Sequence, residues 1–350
     1  MTNSKSLAIN QSINLCKFIA SLFVVLIHVR LPGEWGEYAS CLARFAVPLF
    51  FAISGYFSLN LTSEKAAKRI RHILKLSVVS TLIYVLWGIW KSVFVTSTPV
   101  SDYLRQTINE KSLTKWLILG INPFSGHLWY LAAILTCYVI LWAYIKFHGK
   151  EQVNYKPLYT VAIICLLFQI ILGVNADIKD FGVPYEIYRN ALFSGLPMFA
   201  MGMFMRENAQ RIIENFNLNA VKLVGIIFFG VFLSVLQWKS FGKCEMPVGA
   251  VVEVIGLMLL VISHPKLPLI SGNKNSFVNM LGNISLIVYI IHMLFNHIIN
   301  AYSAEVAFFA LVKANEFVYP FAVILFSVIA GIIYDLSLNA VKALKSKRKN

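Results

Sequence analysis

The feature that limits this chain most is the recurrence, from end to end, of apolar runs long enough to cross a hydrocarbon core. A spanning helix needs about 17 to 25 residues. Such runs fall near 11–30, 43–60, 73–94, 127–146, 158–174, 187–205, 219–238, 248–263, 279–300 and 318–338. Lipid cannot satisfy an open backbone, so runs of this kind span as helices. The expected fold is therefore all-α and polytopic, with about ten transmembrane helices. The sixth run is interrupted by Pro197, and the eighth is short and contains Glu253. Composition agrees: 58% of residues are apolar and 13% charged, against about 45–50% and about 25% in soluble proteins, and the mean hydropathy is +0.69.

Charge gives the chain an orientation. With the N-terminus inside, the inner segments hold 19 basic residues but only Glu64, Glu151, Glu207 and Glu214, so they carry the whole formal excess of +15. Basic residues gather on the cytoplasmic side of membrane proteins, which places both termini there. Cationic residues beside anionic lipid account for the basic tail 342–350, and no nucleic-acid partner is needed. The inner membrane of a bacterial cell is the expected location. The five cysteines are scattered without metal or redox spacing, and no metal site is expected. No cleavable signal peptide is evident. Residues 1–350 are read as one membrane domain, with spans over 11–338 and an amphipathic outer segment over 95–126 that lies on the surface as short helices or acts as a lid.

Inside the first span, Asn14, Lys17, Ser21 and His28 fall within about 60° of one another on a helix. Such a stripe faces a protein interior or a wet cavity, not lipid. Lys17 is near enough the inner surface to snorkel. His28 lies about 16 Å further along the axis, in the outer half. In the ninth span Ser285, Tyr289, His292 and Asn296 share one side, and His127 opens the fourth span from the outer surface. Three histidines from three spans are thus expected at similar depth. His292 and His297, about 140° apart, do not make a ligand pair.

The ordered landmarks "NLCKFIASLFVVLIH", "AVPLFFAISGYF", "KRIRHIL", "HLWYL" and "LGNISLIVYIIH" resemble those of the acyltransferase family 3 membrane enzymes over about residues 10–335. The resemblance implies ten spans and transfer of an acyl group, commonly acetyl from acetyl-CoA, to hydroxyls of extracytoplasmic glycans. Two departures stand out. Asn14 and Lys17 occupy places where the family often has Asp and Arg, and the family's basic pair aligns in two ways over Arg69, Arg71 and His72. Arg69 and Arg71 are taken as the pair.

The resemblance and the stripe together suggest a scheme. Lys17, Lys68, Arg69 and Arg71 bind the polyanionic end of the acyl-CoA, and His28 takes the proton of the acceptor hydroxyl. His127 and His292 are the other candidate catalytic groups. Trp129, Tyr289, Ser285 and Arg44 are candidates for substrate binding, as is Glu253, which is expected to pair with Arg44 or Arg189 or to orient a histidine. Trp35 and Trp129 are expected to stack on sugars or to sit in an interfacial belt. Acyl-CoA enters as a donor substrate, with no permanently bound cofactor; the other partners are a glycan or lipid-linked saccharide and membrane lipid. Two alternatives stay open: a transporter or flippase for a glycan or lipid-linked sugar, and a non-catalytic membrane subunit or sensor. The residues leave open the oligomeric state, the acceptor and the choice among acetyl, succinyl and longer acyl groups.

Overall fold

The computed structural model describes residues 10–149, 153–179, 184–242, 244–266 and 274–347. Residues 348–350 of the basic tail lie outside this set, as do Lys5, Lys150 and Glu151, on which the charge argument also drew. Among the described residues there is no strand. In order, the helices are α1 (Gln11–His28), α2 (Gly33–Leu42), α3 (Ala46–Tyr56), α4 (Ser63–Phe94), α5 (Val100–Thr107), α6 (Glu110–Leu119), α7 (Trp129–His148), α8 (Lys156–Lys179), α9 (Tyr185–Tyr188), α10 (Leu196–Asn215), α11 (Ala220–Phe241), α12 (Val248–Ser263), α13 (Lys274–Tyr302), α14 (Ala307–Ala314) and α15 (Val318–Lys347).

Eight helical segments among the described residues are long and apolar enough to cross a membrane. They match the expected spans except the sixth and eighth. The sixth is broken for a local reason: Ala191–Gly195 forms a π-helical turn capped by the Asn190 side chain, and α10 then starts with Pro197 in its first turn. A proline is tolerated there because its missing N–H has no helical partner to lose. The second half of α10, "RENAQRIIEN", is polar. The eighth is α12, an apolar helix of 16 residues.

The chain packs as two compact units, one of residues 1–46 and 259–350, the other of 47–258. In the first unit, α1 lies along α13, which in turn packs against α15. The inner start of α1 is tied down by polar bonds: Asn10 caps it by accepting from the Ile13 N–H, and its Nδ2 donates to the Val261 carbonyl at 2.8 Å. Gln11 N donates to the Pro265 carbonyl and Ser12 Oγ to that of His264. Val25, Val29, Val288, Ile299 and Val323 form the core. Within a bilayer such a core is held by close packing more than by exclusion of water.

The second unit joins α4 to α7, and α8 to α10. Here α3 meets α10 through two glycines. A Cβ on Gly55 would strike the Phe199 carbonyl, and one on Gly202 the Ala52 carbonyl. Small residues of this kind let membrane helices approach backbone to backbone. A second seam joins α11 and α12, where a Cβ on Gly230 would lie 2.7 Å from Gly249 O and Glu253 N.

The outer segment is anchored at two points. Tyr103 of α5 rests its ring on Gly88 of α4. Lys115 of α6 donates to Glu186 at 2.8 Å. Burial pushes the Glu186 carboxyl upward, but the Lys115 hydrogen bond, a backbone bond and the nearby positive charges outweigh it and hold the group below the usual glutamate range. The same hydrogen bond lifts Lys115 above the usual lysine range. A lowered carboxyl stabilises above its ordinary pKa and a raised ammonium below its own. The tie is therefore intact at neutral pH, lost as pH falls through the lowered Glu186 value and lost as pH rises through the raised Lys115 value.

Two outcomes follow from this packing. Gly202→Leu overpacks the α3–α10 crossing and is expected to cost about 1–3 kcal/mol or more, read as earlier loss of monodisperse protein on heating; unchanged heat tolerance would show that the crossing yields. Protection of the amides over 110–119, taken relative to their intrinsic exchange rates, should fall as pH drops through the lowered Glu186 value. In Lys115→Met that protection should already be low at neutral pH and show no such step.

Candidate active site

The polar stripe of α1 faces α13, and the two helices run parallel. Near their inner ends Asn14 Nδ2 donates to Asn279 Oδ1 at 3.1 Å, and a Cβ on Gly282 would meet the Asn14 side chain at 2.5 Å. Near their outer ends the rings of His28 and His292 lie 5.3 Å apart, centroid to centroid, inclined at 37°. Between these points Ser21 is buried and bonds back to Phe18 O, and Lys17 is half-buried. One parallel helix pair therefore carries a continuous polar line from Asn14 to His28.

The two histidines differ in access. His28 ends α1 and is exposed, whereas His292 is fully buried. His292 Nδ1 lies 2.7 Å from the Tyr289 carbonyl and 3.2 Å from that of Val288. A carbonyl only accepts, so Nδ1 must carry the proton, and Nε2 of the neutral ring bears the lone pair. Tyr289 is buried with its ring 6.2 Å from that of His292. Ser285 is also buried, its hydroxyl closed onto Gly282 O at 2.8 Å. Arg44 is buried in the same unit, in the turn Ala43–Phe45 that packs on α1.

His127 belongs to the second unit and has its own partners. Its Nδ1 lies 2.8 Å from Ser125 Oγ and its Nε2 3.4 Å from the Tyr84 hydroxyl, all three residues being buried. Of the three histidines expected at similar depth, His28 and His292 are brought together within the first unit, and His127 lies in the second. Trp129 is buried too: the Arg189 guanidinium sits 5.3 Å from its ring centroid, and Phe51 packs at 6.2 Å. Little of its face is open to a sugar. Trp35, by contrast, is 68% exposed.

Glu253 also differs from expectation. Arg189 pairs with Glu245 at 3.2 Å, while Glu253 accepts from Ser234 at 2.8 Å across the α11–α12 seam. The glycines of that seam bring Ser234 within reach, and Arg189 is already held by Tyr185 and Trp129 as well as Glu245.

Lys68, Arg69 and Arg71 are exposed on the first turns of α4, whose N-cap is Thr62. Two residues on a helix diverge by about 200°, so Arg69 and Arg71 leave on opposite sides. Lys68 and Arg71, three apart, share one face. Arg69 comes within electrostatic reach of Tyr138, whose hydroxyl accepts from Ser58 Oγ at 3.4 Å. A further cation escaped sequence reasoning as a site residue: Arg206 bonds the Tyr56 hydroxyl at 2.8 Å and lies over its ring. The end of the "AISGY" run was the available signal. Among the described residues, no three His, Cys, Asp or Glu side chains cluster as metal ligands do.

The acyltransferase domain of the acyltransferase 3 family matches residues 10–336. The chain belongs to that family. Two curated relatives are more distant. An amino-acid racemase of Enterococcus faecalis is 23% identical over 230 residues, covering 60% of this chain and 30% of the relative. A serine/alanine racemase of Enterococcus gallinarum is 23% identical over 254 residues, covering 64% and 33%. The chain thus spans about a third of the length of these relatives. No solved structure matches.

The tautomer assigned to His292 is directly measurable. Solid-state NMR of the ¹⁵N-histidine protein in lipid should show an Nδ1-protonated ring signal that is lost in His292→Phe, while any from His148 and His264, whose Nδ1 atoms also face carbonyls, remain. A ring protonated at Nε2 in its place would overturn the assignment.

Proposed function

We propose that the protein moves an acyl group, acetyl in the simplest case, from cytoplasmic acyl-CoA to a hydroxyl of an extracytoplasmic or lipid-linked glycan, with His28 as the general base. The observation that carries this is the contrast within the histidine pair: His28 is exposed at the end of α1, and the buried ring against it has its Nδ1 committed to carbonyls. An accessible imidazole beside a fixed neutral one suits proton transfer. Family membership supports acyl transfer; the CoA donor, the glycan acceptor and the inner membrane of a bacterium are part of the proposal.

In this reading the acceptor oxygen attacks the thioester carbonyl while its proton passes to a ring nitrogen of His28. The C–S bond then breaks, and the imidazolium returns the proton to the departing thiolate. His292 positions the His28 ring. Tyr289, Ser285 and Arg44 are buried, so their part is to hold the helix pair in shape. The donor's phosphates are assigned to positive side chains, with Lys68, Arg69 and Arg71 on α4 as the candidate set in the second unit and Lys17 on α1 as the separate candidate in the first. Lysine at position 17 supplies a point charge without the two-pronged grip of arginine. The racemase names of the two relatives do not enter this reading, because about two thirds of each protein lies outside the aligned region.

His28→Ala is expected to retain acyl-CoA binding and membrane expression but to lose transfer by about 10²- to 10⁴-fold, the usual contribution of a general base. Transfer by the wild type should also fall in acid, because imidazolium cannot accept a proton. Thioester consumption by purified protein, with labelled acyl-CoAs and candidate lipid-linked sugars, is the measurement. Normal turnover in His28→Ala would make that residue structural, and substrate flux without thioester cleavage would favour a transporter. In the same assay Arg69→Ala with Arg71→Ala should weaken donor binding while insertion is unchanged, and intact binding would remove both residues from the site.

A further inference from the structure

We propose that a groove between α4 and α7, beneath the end of α6, is a binding site for one acyl chain of a bilayer phospholipid. The groove has a volume of about 300 Å³ and lies wholly within the second unit. Leu74, Val78 and Leu82 line it from α4, Leu131 and Leu135 from α7, and Trp116 from α6. All but Trp116 belong to segments long and apolar enough to span a membrane, so hydrocarbon rather than water is the medium that reaches them.

The chemistry of the lining selects the occupant. Three of its polar side chains, Ser77, Thr81 and Asn122, are hydrogen-bonded within the protein. Ser77 Oγ donates to Ile73 O at 2.9 Å. Asn122 donates to Thr81 Oγ1 at 2.7 Å, while its carbonyl oxygen accepts from the N–H groups of Phe124 and Ser125. A sugar or a nucleotide would therefore meet aliphatic walls and occupied polar groups, whereas an alkyl chain loses nothing by entering. Left empty, the walls would forgo dispersion contacts. Filling them drives occupancy here, since moving a chain out of surrounding lipid gains nothing from water exclusion.

The roof keeps the groove in being. Gly120 adopts a left-handed backbone (φ +72°), and a Cβ there would lie 2.8 Å from the Ala132 Cβ. The turn after α6 is thus drawn tight onto α7, while α6 leaves Leu117 and Ile118 83% and 74% exposed. An amphipathic helix with such a face lies in the membrane interface. Trp116, at the groove, sits where an aromatic ring prefers the headgroup level. A lipid whose headgroup lies at α6 has its chain in register with the groove. This inference stands apart from the acyl-transfer reading and does not need it.

The test uses the full chain reconstituted in phosphatidylcholine bilayers that contain a trace of phospholipid bearing a photoactivatable group midway along one acyl chain. After irradiation, the label on segments 74–82 and 128–135 is compared with that on 223–232 of α11, where Phe228, Phe229 and Phe232 are exposed. The expected result is several-fold enrichment in the groove segments, lost in Ala132→Phe, which fills the space. Ser77→Phe serves in its place if Ala132→Phe does not elute as monodisperse protein. Label equal to that on α11, or enrichment that survives filling, would overturn the site.

Discussion

Asn14 and His28 leave α1 on one side, and a hydrocarbon core offers neither a hydrogen-bond partner. The first unit is organised by that constraint. A second helix lies alongside in parallel and supplies a partner near each end, Asn279 for Asn14 and His292 for His28. Gly282 permits the approach by offering no side chain where Asn14 sits. The interval from Asn14 to His28 is 14 residues and that from Asn279 to His292 is 13, so two helices of equal rise keep both contacts at once. The apolar core of Val25, Val288 and Val323 then packs around a polar seam already fixed.

The second unit solves a different problem by similar means. Two of its crossings are set by shape: Gly55 and Gly202 between α3 and α10, Gly230 and Gly249 between α11 and α12. Several polar groups inside are paired, as in Ser125–His127–Tyr84 and Ser234–Glu253. A paired group resists solvation changes and holds its neighbours in one arrangement. The exposed His28 is of another kind, and its access is what the proposed proton transfer would require.

The basic start of α4 shows how a helix divides a motif. "KRIRHIL" reads as one cluster, yet 100° per residue sends Arg69 toward Tyr138 and Arg71 elsewhere. The cation that does engage the end of α3 is Arg206 of α10, which lies far away in sequence. Positive charge in the second unit is therefore supplied by more than one helix.

The sequence by itself determined the all-helical membrane class, eight of the spans, the family and the polar stripe of α1. The class, the spans and the stripe depend on run length and on the 100° step between residues, which are local, and the family on the order of short motifs along the chain. It also placed Ser285, Tyr289 and His292 on one side of their helix. Only the tertiary structure decided which helix the stripe would face, that His28 is open while His292 is closed, and that His127 keeps company with Ser125 and Tyr84. It likewise gave Glu253 to Ser234 and Arg189 to Glu245, and covered Trp129. Periodicity fixes the direction in which a side chain leaves its own helix. Partners and burial are set by which backbones can come close, and in lipid that is decided by glycines and reciprocal polar groups distant in sequence.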